Sequence, residues 1–212
     1  MSIHSVINCV RKRPGMYLGS NSITALSHFL NGYTIAESDF GADFQRELFT
    51  LDFHFMHDFV KMRFNEENNI GWCNNILNYC DNNEEKGLEI FFELYDEFKN
   101  IKMKRCYKAV LSEENIQYNN NMKYTHTMRG NAPEPVFKNP LAVYVIELDI
   151  SAFIAAVETD TYIRLEHQFF TSLENAKSGS IPFGVEMYFK KITEWREYFK
   201  NNISFDKIIK YW

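Results

Sequence analysis

Residues 10–35 read VRKRPGMYLGSNSITALSHFLNGYTI, and this stretch organises the first half of the chain. Three basic residues, 11–13, run directly into Pro14. The residue before a proline is pushed out of the α region, so a helix that begins upstream should end at Arg13. The cations then lie on its last turn, where the helix dipole favours them.

A second helix is predicted after this break. Gly19 permits a turn, and either Ser20 or Ser22 can cap the helix that follows. Its apolar residues recur at spacings of three and four, as one buried face requires: Ile23, Leu26, Phe29, Leu30 and Tyr33. Between the two helices, Met16 and Tyr17 belong to an apolar elbow, which we expect to pack against the second helix.

The helical pattern continues to about residue 105. Apolar stripes predict one helix or two short ones over residues 42–64, and a short helix over residues 72–80. Asp81 begins a turn that can cap a longer helix. The buried face of that helix is predicted to hold Leu88, Phe91, Phe92, Tyr95 and Phe98.

The second half has a different character. Asparagines and prolines between residues 115 and 140 predict a long irregular loop. Residues 141–148 form a β-rich run, and residues 153–158 can pair with 162–169 as a hairpin. Over residues 185–201, helical spacing predicts a closing helix, from Tyr188, Ile192, Trp195 and Phe199.

These patterns together predict an α+β fold, in which a helical N-terminal half is followed by a small antiparallel sheet with a closing helix. We place a helical domain at residues 1–105 and an α+β domain at 106–212, either separate or packed as one unit. A chain of 212 residues with 45% hydrophobic residues is long and apolar enough to build such cores.

Charge and cysteine content restrict the function. A net charge of −5 argues against a general binder of nucleic acids or anionic membranes, because both depend on positive surface potential. The four cysteines include no Cys-x-x-Cys pair, so reduced thiols are expected. No secretory leader or long apolar run occurs, so we expect a cytoplasmic protein without a membrane partner.

The run at residues 10–19 resembles the N-terminal ATPase region of the type IIA topoisomerases, the family of gyrase and its relatives. The resemblance implies that the next helix binds nucleotide through a glutamate that activates water and, four residues later, an asparagine that holds magnesium. The corresponding positions here are Gly32 and Ala36, and no Asp-x-Gly-x-Gly motif follows. We therefore expect no ATPase activity and no bound cofactor.

A second resemblance extends over the first half of the chain. The segments that carry it are Arg13–Gly19, Ala25–Tyr33, His57–Val60, Gly71–Asn74 and Phe91–Phe98. Together they are similar to a family of small bacterial proteins of unassigned activity, loosely associated with toxin and immunity neighbourhoods. This resemblance names no catalytic residues.

Other chemistry has weaker support in the sequence. His54 and His57 could begin a metal site, but no third ligand is identifiable and such spacing is common on amphipathic helices. Cys73 and Cys80 have no nearby histidine pair and are typical of small core residues. No Gly-x-Ser-x-Gly elbow indicates a nucleophile. We predict neither a metal site nor a catalytic site.

The predicted helix after Asp81 is strongly acidic. Between residues 81 and 97 there are seven carboxylates and one basic residue, Lys86: Asp81, Glu84, Glu85, Glu89, Glu93, Asp96 and Glu97. Like charges four residues apart destabilise a helix by roughly 0.2–0.5 kcal/mol per pair, and the last glutamates also oppose the helix dipole. Basic side chains such as Arg46 or Lys61 could neutralise the stripe, or it could be a solvated face.

The functional interpretation of the stripe is a docking surface for a basic partner. Its predicted contact residues are Asp81, Glu85, Glu89, Glu93 and Glu97. We expect a non-catalytic binding protein, of the immunity or antitoxin type, that neutralises a basic toxin. The alternative is a degenerate topoisomerase-like module that binds nucleotide or modulates gyrase, with Arg11, Arg13, Met16 and Tyr17 as an anion site or docking elbow.

Overall fold

The computed structural model describes residues 2–39, 51, 53–66, 70–121, 123–124, 134–135, 137–160, 163–165, 169–178, 189, 192 and 194–203. The chain divides into two compact units, Met1–Asn100 and Ile101–Trp212. Residues 103–105, which the sequence assigned to the helical domain, begin the first strand of the second unit. Each unit has its own buried apolar residues.

Every regular element described in the first unit is a helix. A short 3-10 turn, Phe53–Phe55, precedes the fourth helix. The helices are α1 (Ile3–Lys12), α2 (Pro14–Leu18), α3 (Ile23–Asp39), α4 (Met56–Phe64), α5 (Trp72–Tyr79) and α6 (Glu84–Lys99).

The predicted break at Pro14 is confirmed. Helix α1 ends at Lys12, and Pro14 occupies the first turn of α2, where its missing N–H costs nothing. The predicted elbow is therefore a short helix. Gly19 ends it in the left-handed region, with φ of 74°. Of the two candidate caps for α3, Ser22 is the one used, since its Oγ accepts the Ala25 N–H at 3.0 Å.

Helix α6 lies at the centre of the aromatic core. Phe91, Tyr95 and Phe98 are fully buried, as predicted, and Leu88 is 4% exposed. The Tyr95 ring stacks on Phe91 at 5.9 Å between ring centroids, and its hydroxyl lies 2.7 Å from the Nδ1 of His4 in α1. The predicted stripe therefore does face the core.

Phe92 differs from that prediction, because it is only partly buried. The guanidinium of Arg11 covers its ring at 4.8 Å. Leu94, which the stripe did not include, is buried instead. The buried face of α6 is thus rotated slightly toward Leu94.

Where α6 meets α3, the backbones approach closely. A Cβ added to Gly87 would lie 3.0 Å from Cγ2 of Ile23, a side chain that is fully buried. A side chain larger than hydrogen at position 87 would therefore require the Ile23 side chain to move by a few tenths of an ångström.

The predicted helix over residues 42–64 is confirmed for its last part, which is α4. It ends at Asn65, which adopts the left-handed conformation with φ of 52°. Phe44 and Leu48, on which the first part of that prediction depended, lie outside the described residues.

In its described residues the second unit has antiparallel strands and two helices. Its elements are β1 (Met103–Val110), α7 (Glu113–Asn121), β2 (Lys123–Tyr124), β3 (Glu134–Pro135), β4 (Pro140–Leu148), β5 (Phe153–Thr159), β6 (Ile163–Leu165), α8 (Leu173–Ser178) and β7 (Arg196–Ile203). The described strands form a five-stranded sheet in the order β6-β5-β4-β1-β7, and β2 pairs separately with β3.

The α+β class, the strand at 141–148 and the following hairpin are confirmed. A helix does follow the hairpin, but it is α8; the prediction of a helix at residues 185–201 is wrong where it overlaps β7. Trp195 and Phe199 have helical spacing, yet residues 196–203 pair antiparallel with β1. Ladder hydrogen bonds to a distant strand outweigh the local pattern, which periodicity alone cannot anticipate. The asparagine-rich part of the predicted loop also differs, because it forms α7.

One face of the sheet packs on α8 through Ala176, together with buried residues of β1, β4 and β5. Tyr144 of β4 lies on the opposite face of the sheet, because successive side chains of a strand alternate between faces. Its hydroxyl donates to Oε2 of Glu158 at 2.5 Å. The same oxygen accepts from Nζ of Lys108 at 3.0 Å. Burial, and then this hydrogen bond, raise the pKa of Tyr144. The three side chains form a cluster whose charges compensate one another.

Candidate partner-binding face

The outward face of α6 is fixed by the packing of its opposite side. Asn83 caps the helix by accepting the Lys86 N–H at 3.0 Å, which sets where the helix begins. Because Phe91, Tyr95 and Phe98 are buried in the core, the residues on the opposite side of α6 point outward. The residues that do so include the predicted stripe, and all four are exposed: Glu85, Glu89, Glu93 and Glu97.

Glu84, one position before this stripe, is used by the fold. Its Oε2 accepts the Ser22 hydroxyl at 2.8 Å and the Thr24 N–H at 3.0 Å, and its Oε1 accepts the Thr24 hydroxyl at 2.7 Å. These groups form the first turn of α3, whose N–H groups lack helical partners. Glu84 therefore caps a helix that lies 60 residues earlier in the chain.

The environment of Glu84 favours its ionised form. Burial is the largest single influence and raises the pKa of Glu84, but the hydrogen bonds from Thr24 and Ser22 together outweigh it. The pKa of Glu84 consequently lies below its ordinary value. A carboxylate at the positive end of α3 is also favoured by the helix dipole.

Three further carboxylates of α6 have partners within the same unit. Asp96 pairs with Arg11 at 2.8 Å, and Glu97 pairs with Arg63 of α4. Glu85 accepts from the side-chain amide of Asn21 at 3.0 Å. Both ion pairs are about half exposed, so each contributes only about 0–1 kcal/mol.

Two carboxylates in the middle of the helix differ from these. Glu89 and Glu93 are exposed, and within the described part of the chain neither has a hydrogen bond or ion pair. They lie four residues apart and therefore on adjacent turns of one face. Asp81, the remaining predicted contact, is exposed in the turn before α6 and has φ of 53°.

The elbow residues are placed in two environments. Arg11 lies against α6, where it pairs with Asp96, donates to the backbone carbonyl of Phe92 and covers the ring of that residue. Arg13 is exposed at the N-cap of α2. Arg11 thus connects α1 to α6.

Met16 and Tyr17 are exposed on α2, at 64% and 38%. The Tyr17 ring meets Phe29 of α3 edge-on at 6.3 Å, so the ring packs in part against the second helix, as expected. The rest of both side chains forms an apolar surface on α2.

The elbow and the acidic face are connected. The segment 11–22 is joined to α6 at both ends, by Arg11 at Asp96 and by Asn21 and Ser22 at Glu85 and Glu84. On α6 the two attachment points, Glu85 and Asp96, lie about 16 Å apart along the helix axis, at roughly 1.5 Å per residue. The predicted elbow residues and the predicted acidic residues are therefore connected by side-chain contacts at both ends of the segment 11–22.

The structure also places the histidines and cysteines that were considered as metal ligands or nucleophiles. Among the residues that the structure describes, no three side chains of His, Cys, Asp or Glu converge to hold a metal ion. His54 is exposed in the 3-10 turn and His57 lies in α4. Burial raises the pKa of the Cys73 and Cys80 thiols, which disfavours the thiolate form that a nucleophile requires.

Within the described helices, none is both long and apolar enough to cross a membrane. Comparison of the chain with protein-family models, curated proteins and solved structures finds no significant match.

Sequence reasoning missed the structural role of Glu84 and the identity of the neutralising cations. Lys61 and Arg46 were the suggested cations, whereas Arg11 and Arg63 form the described ion pairs, and Arg46 lies outside the described residues. The partners are 34 to 85 residues apart in sequence. No local pattern reports a pairing over that distance.

Proposed function

We propose that this protein is a non-catalytic, cytoplasmic bacterial binding protein of the immunity or antitoxin type, which neutralises a basic protein partner. The docking surface is the outward face of α6, assisted by the exposed elbow. The observation that carries the proposal is the pair Glu89 and Glu93, exposed on adjacent turns while the neighbouring carboxylates of the helix are engaged by the fold.

The energetics of the pair support this use. Two carboxylates four residues apart destabilise their helix by about 0.2–0.5 kcal/mol. Arg11 and Arg63 pair with the next carboxylates along the helix, Asp96 and Glu97. A basic partner would relieve the repulsion and would be attracted at long range.

The elbow gives this surface an apolar part. Tyr17 and Met16 are exposed on a segment whose ends are attached to α6. Protein interfaces combine an apolar centre with a polar rim, and tyrosine is enriched among the residues that carry binding energy. In this proposal the glutamates steer the partner, and Tyr17 contributes to retention after contact.

The experiment measures association with the basic protein that an adjacent gene encodes, using rapid mixing at low and physiological salt. We expect the double variant Glu89→Gln, Glu93→Gln to associate about tenfold more slowly at low salt, with the difference reduced at physiological salt. The matched control is Glu113→Gln, Glu174→Gln, which changes net charge equally on exposed glutamates of the second unit. Equal rates for the two variants would contradict the proposed surface.

A second pair of variants tests the elbow. Tyr17→Ala should raise the dissociation rate by about tenfold or more, as loss of an interface anchor does. Tyr79→Ala is the control, since Tyr79 is a more exposed tyrosine, at 60%, on another helix of the same unit. If both variants dissociate alike, Tyr17 is not part of the interface.

The alternative function is a degenerate topoisomerase-like module. It is favoured by the helix, elbow and helix formed by residues 10–35, which carry the resemblance. Gly32 and Ala36, at the positions of the expected base and magnesium ligand, are exposed on α3 and have no chemistry for either role. We expect no change in Tm with millimolar MgATP; a rise of several degrees would favour the alternative, because saturating ligand adds about 2.7 kcal/mol at a hundred times Kd.

A further inference from the structure

The second unit holds two buried asparagines on one face of α7. Asn115 and Asn119 are 8% and 0% exposed, and they are four residues apart, so their side chains leave the helix on the same side. Asparagine is unfavourable in a helix interior, because its amide competes for backbone hydrogen bonds. Two buried asparagines therefore require partners for their polar atoms.

Only half of these polar atoms have partners. Nδ2 of Asn119 donates to the backbone carbonyl of Phe137 at 2.8 Å, which fixes the orientation of that amide. Nδ2 of Asn115 donates to Oγ of Ser112 at 3.2 Å. The Oδ1 atoms of both residues are buried without a hydrogen-bond partner in the described part of the chain. Buried acceptors of this kind are normally satisfied by a protein donor or by an internal water.

We propose that Asn115 and Asn119 bind one internal water molecule beneath α7, which donates one hydrogen bond to each Oδ1. The Cβ atoms of residues four apart on a helix lie about 5–6 Å from each other, so the two amide oxygens can turn toward one site, where a water with two donors at about 2.8 Å can reach both. Water fits better than a metal ion, which prefers several oxygen ligands.

The site connects α7 with the segment around Phe137, 18 residues further along the chain. Through Asn119 the water would be connected to the carbonyl of Phe137, a fully buried residue of the sheet core. Ile116, between the two asparagines, packs against the same core. The water would therefore attach α7 to the sheet by a polar contact inside an otherwise apolar interface.

The test is a high-resolution crystal structure of the full chain. We expect one ordered water within about 2.6–3.2 Å of both Oδ1 atoms. A dry site, or protein donors on both oxygens, would overturn the proposal. A soak in rubidium chloride distinguishes a cation from water, since an anomalous peak between the oxygens would overturn the assignment to water.

Two variants extend the test to solution. Asn115→Leu removes one acceptor at similar volume, and we expect it to lose the water and to lower Tm. Asn120→Leu is the control, because Asn120 is exposed on the same helix, and its Tm should not fall. Replacing potassium with choline should leave the Tm of the wild-type chain unchanged; a lower Tm in choline would overturn the proposal in favour of a bound cation.

Discussion

The first turn of α6 and its middle turns carry the same acidic residue type, but the fold uses them differently. Glu84 accepts three hydrogen bonds from the start of α3, whereas Glu89 and Glu93 have no such contact within the described residues. The difference lies in what faces each position, because only the first turn meets the unpaired N–H groups of another helix. Within three turns, one acidic helix thus provides both a carboxylate that stabilises the fold and carboxylates that are available to a partner.

The largest expected effect comes from removing the carboxylate that the fold uses. Glu84→Ala should lower the free energy of unfolding by about 2–3 kcal/mol, since it removes three hydrogen bonds from the first turn of α3 to a carboxylate, although the Ser22 cap remains. Glu89→Ala is the matched control and should change stability by less than about 0.5 kcal/mol. Urea denaturation measures both, and equal losses would remove the distinction between the two positions.

The pH dependence of stability sharpens the same comparison. Because the folded pKa of Glu84 lies below its ordinary value of 4.5, the unfolded chain binds the proton more readily. The stabilisation by Glu84 is therefore complete above that value and is lost as the pH falls through the folded pKa. Thermal melts from pH 7 to pH 3 should show wild type and Glu84→Gln converging as the medium becomes acidic; a constant difference would contradict this.

Glycine-to-alanine substitutions compare the stability effect of a methyl group at a buried position of α6 with that at an exposed position of α3. Gly87→Ala should destabilise the protein by about 1–2 kcal/mol, because its Cβ would meet Ile23 at 3.0 Å and overpack the junction of α3 and α6. Gly32→Ala is the control: no atom lies within 4 Å of its added Cβ, and we expect stabilisation by about 0.5–1 kcal/mol. Denaturant midpoints with the same sign for both would show that propensity outweighs the contact.

The smallest effect is expected on the outward face. The double variant Glu89→Gln, Glu93→Gln removes like-charge repulsion and should raise stability by no more than about 0.5 kcal/mol. Chemical denaturation measures this without a partner. A loss above about 1 kcal/mol would mean that these glutamates make stabilising contacts within the protein, and the proposed surface would then be part of the architecture.

The helices of the first half could be predicted because the features that determine them lie close together in the sequence. Pro14 ends α1 by a steric effect on the adjacent residue, and the apolar spacing of α6 brings Phe91, Tyr95 and Phe98 to one side. The sheet was predicted only where its partners are neighbours in sequence, as in the hairpin of β5 and β6.

The missed elements depend on distant contacts. Strand β7 was assigned to a helix because Trp195 and Phe199 have helical spacing, and its pairing with β1 is not a property of either segment alone. For the candidate site, too, the local features could be predicted and the distant contacts could not. Exposure of Glu89 and Glu93 follows from the helical period, but the contact of Glu84 with Thr24 depends on how α3 meets α6.

The strand order of the sheet has a consequence for synthesis on the ribosome. Strand β1 is translated first of the five, yet its two neighbours, β4 and β7, arrive much later, and β7 is last. At about 5–20 residues per second, the edge of β1 that receives β7 waits on the order of ten seconds for its partner. During that interval the first 100 residues, which form their own compact unit, have already left the exit tunnel and can fold. We expect a nascent chain stalled before Arg196 to be the form most exposed to aggregation, and the form for which a chaperone that covers strand edges matters most.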